Sequence, residues 1–90
     1  MAQIEIETQG GGEYRATIGS YDGSTVVTLT LIESDGVSDG RLPDDQATAK
    51  ATVAYLLEHQ EAEDLPELVD LGDVVAAYPD AVERIAALRG

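Results

Sequence analysis

The spacing of the apolar residues changes once along this 90-residue chain, and that change limits what the chain can fold into. Before residue 33 the apolar side chains alternate with polar ones, as they do in strands that have one face in water. Beyond residue 43 they recur every three or four residues, as on the buried side of a helix. The pattern predicts an α+β fold in which a strand half and a helical half cover each other's apolar sides.

Three strands are predicted within residues 1–32. The apolar members of the three alternating runs are Ile4 and Ile6, then Tyr14, Ala16 and Ile18, then Val27, Leu29 and Leu31. The runs are separated by Gly10-Gly11-Gly12 and by Tyr21-Asp22-Gly23-Ser24. Both are typical of hairpin turns, because the glycines and the Asp22-Gly23 step tolerate positive φ. Sequential strands joined by short turns pair antiparallel, so we expect a three-stranded antiparallel β-meander.

Two to four helices are expected to pack on one face of this meander. A polar loop at residues 33–40 is followed by a first helix over residues 43–60, with Pro43 at its first position. Its apolar stripe is predicted from Ala49, Val53, Leu56 and Leu57.

Residues 65–89 are predicted to form segmented helices. Leu65, Leu68 and Val69 are interpreted as a short apolar helical turn. Asp70 is a suitable N-cap for the next segment, and Pro79 separates that segment from the last one. With one apolar core expected for a chain of this length, residues 1–90 are predicted to form a single α+β domain.

Charge restricts the functions that the chain can have. The chain has eighteen Asp and Glu residues and only five Lys and Arg residues, which gives a net charge of −13. Nucleic acids and anionic membranes attract proteins through Lys and Arg, so neither is expected as a partner. The acidity has two interpretations, a surface that binds a basic protein or an adaptation to a salt-rich cytoplasm that screens self-repulsion.

The location expected from the sequence is the cytoplasm. No stretch approaches the roughly 20 apolar residues that a membrane helix needs, and residues 1–7 do not resemble a secretory signal. The chain has no cysteine, so disulfides and thiolate metal sites are excluded. The exposed edges of a small sheet favour pairing across a two-fold axis, which makes a homodimer a secondary expectation.

Several short motifs resemble a small, uncharacterised prokaryotic protein family. They are Gly12-Glu13-Tyr14-Arg15, Tyr55-Leu56-Leu57-Glu58, Asp70-Leu71 and Tyr78-Pro79. Members of that family have a strand-rich N-terminus followed by a Leu-Glu helix, an Asp-Leu step and an aromatic-proline turn. This chain departs from them in having Tyr55 where phenylalanine is usual and in being less basic over residues 60–67. The family has no known activity, so the resemblance implies a fold and no function.

No catalytic residue is predicted. His59 is the only histidine, which excludes a site with two histidine ligands. It is placed at the C-terminal end of the first helix, where an imidazole suits the negative end of the helix dipole. Ser20, Ser24, Ser34 and Ser38 all lie in turn-like contexts rather than in a nucleophile elbow. We expect the four serines to stabilise turns.

No metal or cofactor site is predicted either. The loop over residues 33–40 lacks the alternating carboxylates and the downstream glutamate of a calcium loop. Glu58, Glu61, Glu63 and Asp64 form a run rather than a converging set of oxygens. The glycine run at residues 10–12 is not followed by a helix with a Lys-Ser or Lys-Thr pair, as phosphate binding requires.

Three functions therefore remain open from the sequence. The first is a non-enzymatic interaction or regulatory module that binds a basic protein. The second is a structural protein whose acidity is an adaptation to high salt. The third is a ligand-binding protein or enzyme, for which the sequence shows no acid, base or nucleophile set.

Overall fold

The alternating half of the chain forms three antiparallel strands. The computed structural model describes residues 3–20 and 23–89, and its first strands are β1 (Gln3–Gly10), β2 (Glu13–Ser20) and β3 (Gly23–Thr30). Ile6 lies opposite Ala16, and Ala16 lies opposite Val27, so the apolar positions share one face. These strands agree with the predicted meander. Tyr21 and Asp22, in the turn predicted between the second and third strands, lie outside the described residues.

The sheet has a fourth strand that the sequence interpretation missed. β4 (Leu68–Asp70) runs parallel to β3, which makes the sheet mixed, with strand order β1-β2-β3-β4. The prediction of a purely antiparallel three-stranded sheet was therefore wrong. Val69 is 4% exposed and Leu68 is 62% exposed, so this segment follows a period of two and not of three or four. Pro66 disfavours helical geometry in Leu65 before it, and Leu65 is extended at φ −71° and ψ 142°.

Four α-helices complete the fold of the described residues. They are α1 (Ser34–Val37), α2 (Gln46–Leu57), α3 (Leu71–Ala77) and α4 (Ala81–Leu88), with a short 3-10 helix at Ala62–Asp64 between α2 and β4. The number of α-helices is within the predicted range, but the predicted polar loop at residues 33–40 contains the single turn of α1.

The first long helix is shorter than the predicted span of residues 43–60. Its N-cap is Asp45, whose side chain accepts a hydrogen bond from the Thr48 N–H at 2.8 Å, so Pro43 precedes the helix. Arg89, after α4, binds Asp45 through its Nη2 at 2.7 Å. Burial raises the pKa of Asp45, but the hydrogen bonds from Thr48 and the charge of Arg89 outweigh burial, and the pKa is lowered. Asp45 therefore joins the start of α2 to the end of α4.

The boundaries around α3 follow the predicted signals. Asp70 is the N-cap of α3, and its Oδ1 accepts a hydrogen bond from the Gly72 N–H at 2.8 Å. Tyr78, before Pro79, is extended at φ −123° and ψ 112°, as expected for a residue that precedes proline. The proline thus separates α3 from α4.

The core lies between one face of the sheet and the helices. α2 packs on β1 and β2, α4 packs on α2, and α3 packs against β4 and α1. Leu29 and Val53 are fully buried, and Ile6 and Val75 pack against the same core, which confirms the predicted common interior. Leu88, near the end of α4, is 37% exposed. No helix in the described part of the chain is long and apolar enough to cross a membrane.

Candidate functional site

The sheet face turned away from the helices, here called the open face, is exposed. Cross-strand pairing places Glu5, Thr17 and Val26 in one row across β1, β2 and β3. The neighbouring row runs from Glu7 through Arg15 and Thr28 to Leu68 on β4. Each row begins with a carboxylate on β1 and ends on an apolar side chain, and Val26 is 51% exposed. The open face therefore combines an apolar strip with an acidic border.

Few basic side chains offset these carboxylates. Among the described residues, three of the five Lys and Arg residues form ion pairs: Arg15 with Glu7 at 3.8 Å, Arg84 with Glu58 at 2.7 Å and Arg89 with Asp45 at 2.7 Å. The first of these pairs lies on the open face itself. Exposed Glu5 and Glu13 remain there as carboxylates for which the described residues provide no ion pair.

A cleft lies at the other edge of the sheet, between β4 and the helices. Its volume is about 200 Å³, and its walls come from the end of α2, from β4, from α3 and from the segments that follow α2 and α3. Apolar residues provide most of the wall, whereas Gln60, Asp70, Asp73 and Tyr78 provide polar groups. We call this the β4 cleft.

An aromatic cluster supports one wall of the β4 cleft. The cluster consists of Tyr55, His59 and Tyr78. The His59 and Tyr78 rings are stacked, with centroids 4.8 Å apart and an interplanar angle of 21°. Tyr55 meets both rings edge-on, with its centroid 4.8 Å from that of His59 and 5.7 Å from that of Tyr78. These contacts hold the Tyr78 ring, which lines the cleft, against a buried partner.

Two buried tyrosines donate hydrogen bonds to carboxylates. Tyr55 donates to Oδ1 of Asp80 at 2.6 Å, and Tyr14 donates to Oδ1 of Asp44 at 2.7 Å. Burial, together with these carboxylates, raises the pKa of each tyrosine to about 12. Both phenols therefore stay neutral at physiological pH and serve as structural donors.

His59 lies just beyond the C-terminal end of α2, close to its predicted place. Its exposed ring belongs to the aromatic cluster, and the described residues form no hydrogen bond with it that would orient a general base. The sequence analysis did not anticipate its stacking on Tyr78. The spacing of Tyr55 and His59, four positions apart, was the available signal for two of the three members of the cluster.

Of the predicted turn serines, Ser38 has the clearest role. Its Oγ accepts a hydrogen bond from the Leu42 N–H at 2.8 Å and so orders the turn after α1. The Ser34 hydroxyl is fully buried and has no hydrogen-bond partner within the described residues. Ser24 is exposed at the start of β3.

The other segments considered from the sequence for metal or phosphate binding do not form such sites in the described residues. Gly10, Gly11 and Gly12 have φ of 91°, 60° and 82°, which glycine adopts most readily. Gly10 ends β1, and Gly11 and Gly12 form the turn to β2. Within residues 3–20 and 23–89, no group of three or more His, Asp or Glu side chains could hold a metal ion.

The β4 cleft was not predicted from the sequence. Asp70 was identified as a helix cap, but Leu68 was assigned to a helical turn, and no local pattern places α2 beside β4. No family model, curated protein or solved structure matches this chain. The resemblance to an uncharacterised prokaryotic family stays a prediction from the sequence.

Proposed function

We propose that this chain is a non-enzymatic interaction or regulatory module in the cytoplasm whose acidic open face binds a basic protein. The observation that supports the proposal most is the composition of that face. Exposed apolar side chains at Val26 and Leu68 lie on the β3 and β4 side of that face, and Glu5, Glu7 and Glu13 lie on its β1 and β2 side. Protein-binding surfaces usually combine an apolar part with a polar or charged part.

The charge of the border favours a basic partner over a second copy of this chain. If two β1 strands paired antiparallel about Ile6, Glu5 of each copy would lie opposite Glu7 of the other. Like charges directly opposite each other on paired strands are destabilising. A partner that brings Lys or Arg to the same positions replaces that repulsion with attraction. The homodimer expected from the exposed edges is therefore the weaker proposal.

The proposal is tested by capture of partners from an extract of the native cells with the immobilised full-length chain. Two double variants with equal net charge are compared with the wild type. Glu5→Gln with Glu13→Gln changes the open face, and Glu61→Gln with Glu63→Gln changes exposed residues around the 3-10 helix.

We expect the wild type and the Glu61/Glu63 variant to retain a basic protein at 0.05 M NaCl and to release it at 0.5 M, because salt screens exposed charges. The Glu5/Glu13 variant should bind that protein about tenfold more weakly, as expected for the loss of two rim charge pairs. Capture that does not depend on salt, or equal losses in the two variants, would contradict the proposal.

A further inference from the structure

The β4 cleft opens along the free edge of the sheet. In the parallel pairing with β3, Thr28 donates its N–H to the carbonyl of Glu67 at 2.8 Å. Successive residues of a strand direct their backbone N–H and C=O groups to opposite sides. The groups of Val69 therefore point towards β3, and those of Leu68 point towards the free edge of the sheet. An extended segment that lies along this edge can therefore hydrogen-bond to Leu68 while one of its side chains enters the cleft.

The size of the cleft selects a single side chain rather than a cofactor. Its volume is about 200 Å³, whereas pockets for small molecules and cofactors are usually about 300–1,000 Å³. A long side chain with a charged end fits this volume, and its backbone stays outside along β4.

The lining of the cleft selects a side chain with an apolar stem and a positive end. Leu56, Val74 and Ala77 provide apolar wall against which the methylene groups of an arginine or lysine can pack. Asp70 and Asp73 also line the cleft, and Oδ1 of Asp70 accepts a hydrogen bond from the Gly72 N–H at 2.8 Å. None of the described Lys or Arg residues lines the cleft, so no internal cation occupies these carboxylates.

Tyr78 favours arginine over lysine. Its ring lines the cleft and is held by stacking on His59 at a centroid distance of 4.8 Å. A guanidinium group is planar, stacks on an aromatic ring and binds carboxylates through two parallel hydrogen bonds, whereas an ammonium group is a compact point charge.

We propose that the β4 cleft binds an arginine side chain from an extended segment of the basic partner. This inference rests on the proposed function, since it names the group by which a basic protein would be recognised. In this inference Asp73 and Tyr78 recognise the arginine side chain, and the open face provides a separate contact with the same partner.

The test is a titration of the ¹⁵N-labelled full-length chain with two short peptides, observed by NMR. The first peptide is acetyl-Thr-Val-Arg-Val-Thr-amide, and the second carries citrulline, which is the neutral analogue, in place of arginine. We expect the arginine peptide to shift the amide signals of Gln60, Leu68 and residues 72–78. The citrulline peptide should bind at least about fivefold more weakly, because it lacks the charge that the carboxylates attract.

Variants of the chain locate the binding site. Asp73→Asn should weaken the arginine peptide about fivefold, and Tyr78→Leu should weaken it by a similar factor through loss of the ring. Asp39→Asn, which removes the same charge from an exposed residue that does not line the cleft, should change the affinity less than about twofold. Each variant is first shown to keep the dispersed spectrum of the folded chain.

Three results would overturn the inference: equal binding of the arginine and citrulline peptides, equal effects of Asp73→Asn and Asp39→Asn, or free argininamide binding as tightly as the peptide. The last result would assign the cleft to a small cationic molecule. These outcomes are independent of the capture experiment. A partner that binds the open face but is unaffected by Asp73→Asn would remove this inference and leave the proposed function in place.

Discussion

Hydrogen bonds between tyrosine hydroxyls and aspartates fasten segments that are distant in sequence. Tyr14 on β2 binds Asp44 before α2, and Tyr55 on α2 binds Asp80 before α4. In each pair the phenol is buried, while the aspartate is exposed at the surface and precedes a helix. The structure gives both hydroxyls a carboxylate partner.

These bonds predict how stability depends on alkaline pH. The folded-state pKa of Tyr14 and of Tyr55 is about 12, above the value of 10.0 for a free tyrosine. Because the folded state favours the neutral phenol, the contribution to stability is fully present below pH 10 and is lost as the pH rises through 12. In ¹³C-tyrosine NMR, we expect the Cζ signals of both residues to remain those of the neutral phenol at pH 10.5.

The same bonds predict the effect of removing one hydroxyl. Tyr55→Phe should lower the free energy of unfolding by about 1 kcal/mol at pH 7, because it removes one hydrogen bond to a charged acceptor that water can rehydrate. The difference from the wild type should shrink as the pH approaches 12. Urea unfolding at pH 7 and above measures it, and a difference that stays constant up to pH 12 would show that the hydroxyl contributes in some other way.

At the scale of elements, the shortest strand has the largest consequence for the candidate site. β4 has three residues, yet it adds a strand to the sheet, leads directly into α3 and forms one wall of the cleft. The helical interpretation of Leu65, Leu68 and Val69 failed because the same residues also fit a period of two, in which Val69 and Leu71 are the buried positions. The extended geometry before Pro66 was the local signal that favoured the strand.

The two interpretations of this segment predict different mutational effects. In the strand, Val69 is buried against the core and Leu68 is exposed. Val69→Ala should therefore lower the free energy of unfolding by about 2 kcal/mol, through lost burial and a residual cavity. Leu68→Ala should change it by less than about 0.5 kcal/mol. Urea unfolding of both variants provides the measurement, and equal losses at the two positions would contradict the strand register.

At the scale of the whole molecule, the charge of −13 acts over a small volume. The described residues span 38 × 27 × 23 Å. Salt screens charges over about 30 Å at 0.01 M and about 8 Å at 0.15 M, so at low salt the acidic residues repel one another across the entire protein. The folded state should therefore depend on salt even without a partner.

Thermal unfolding at several salt concentrations separates the two interpretations of the acidity. For an interaction module we expect a cooperative transition at 0.01 M NaCl, with a midpoint about 5 °C below that at 0.15 M, which corresponds to about 1 kcal/mol for a chain of this size. Loss of folding at 0.01 M and a continued rise in the midpoint above 1 M would favour a structural protein adapted to high salt. Circular dichroism measures the unfolding transition and its midpoint at each salt concentration. A midpoint that does not change with salt would contradict both interpretations.

The sequence by itself determined the features that depend on neighbours in the chain. Alternation of apolar residues sets which faces of β1, β2 and β3 are buried, and local signals at Asp70 and Pro79 set where α3 begins and where it is separated from α4. Only the tertiary structure decided the pairing of β4 with β3 and the meeting of α2, β4 and α3 around the cleft. The physical reason is that a short apolar segment fits either a strand or a helical turn by itself, and the burial of Val69 against Leu29, 40 positions away in the chain, selects the strand.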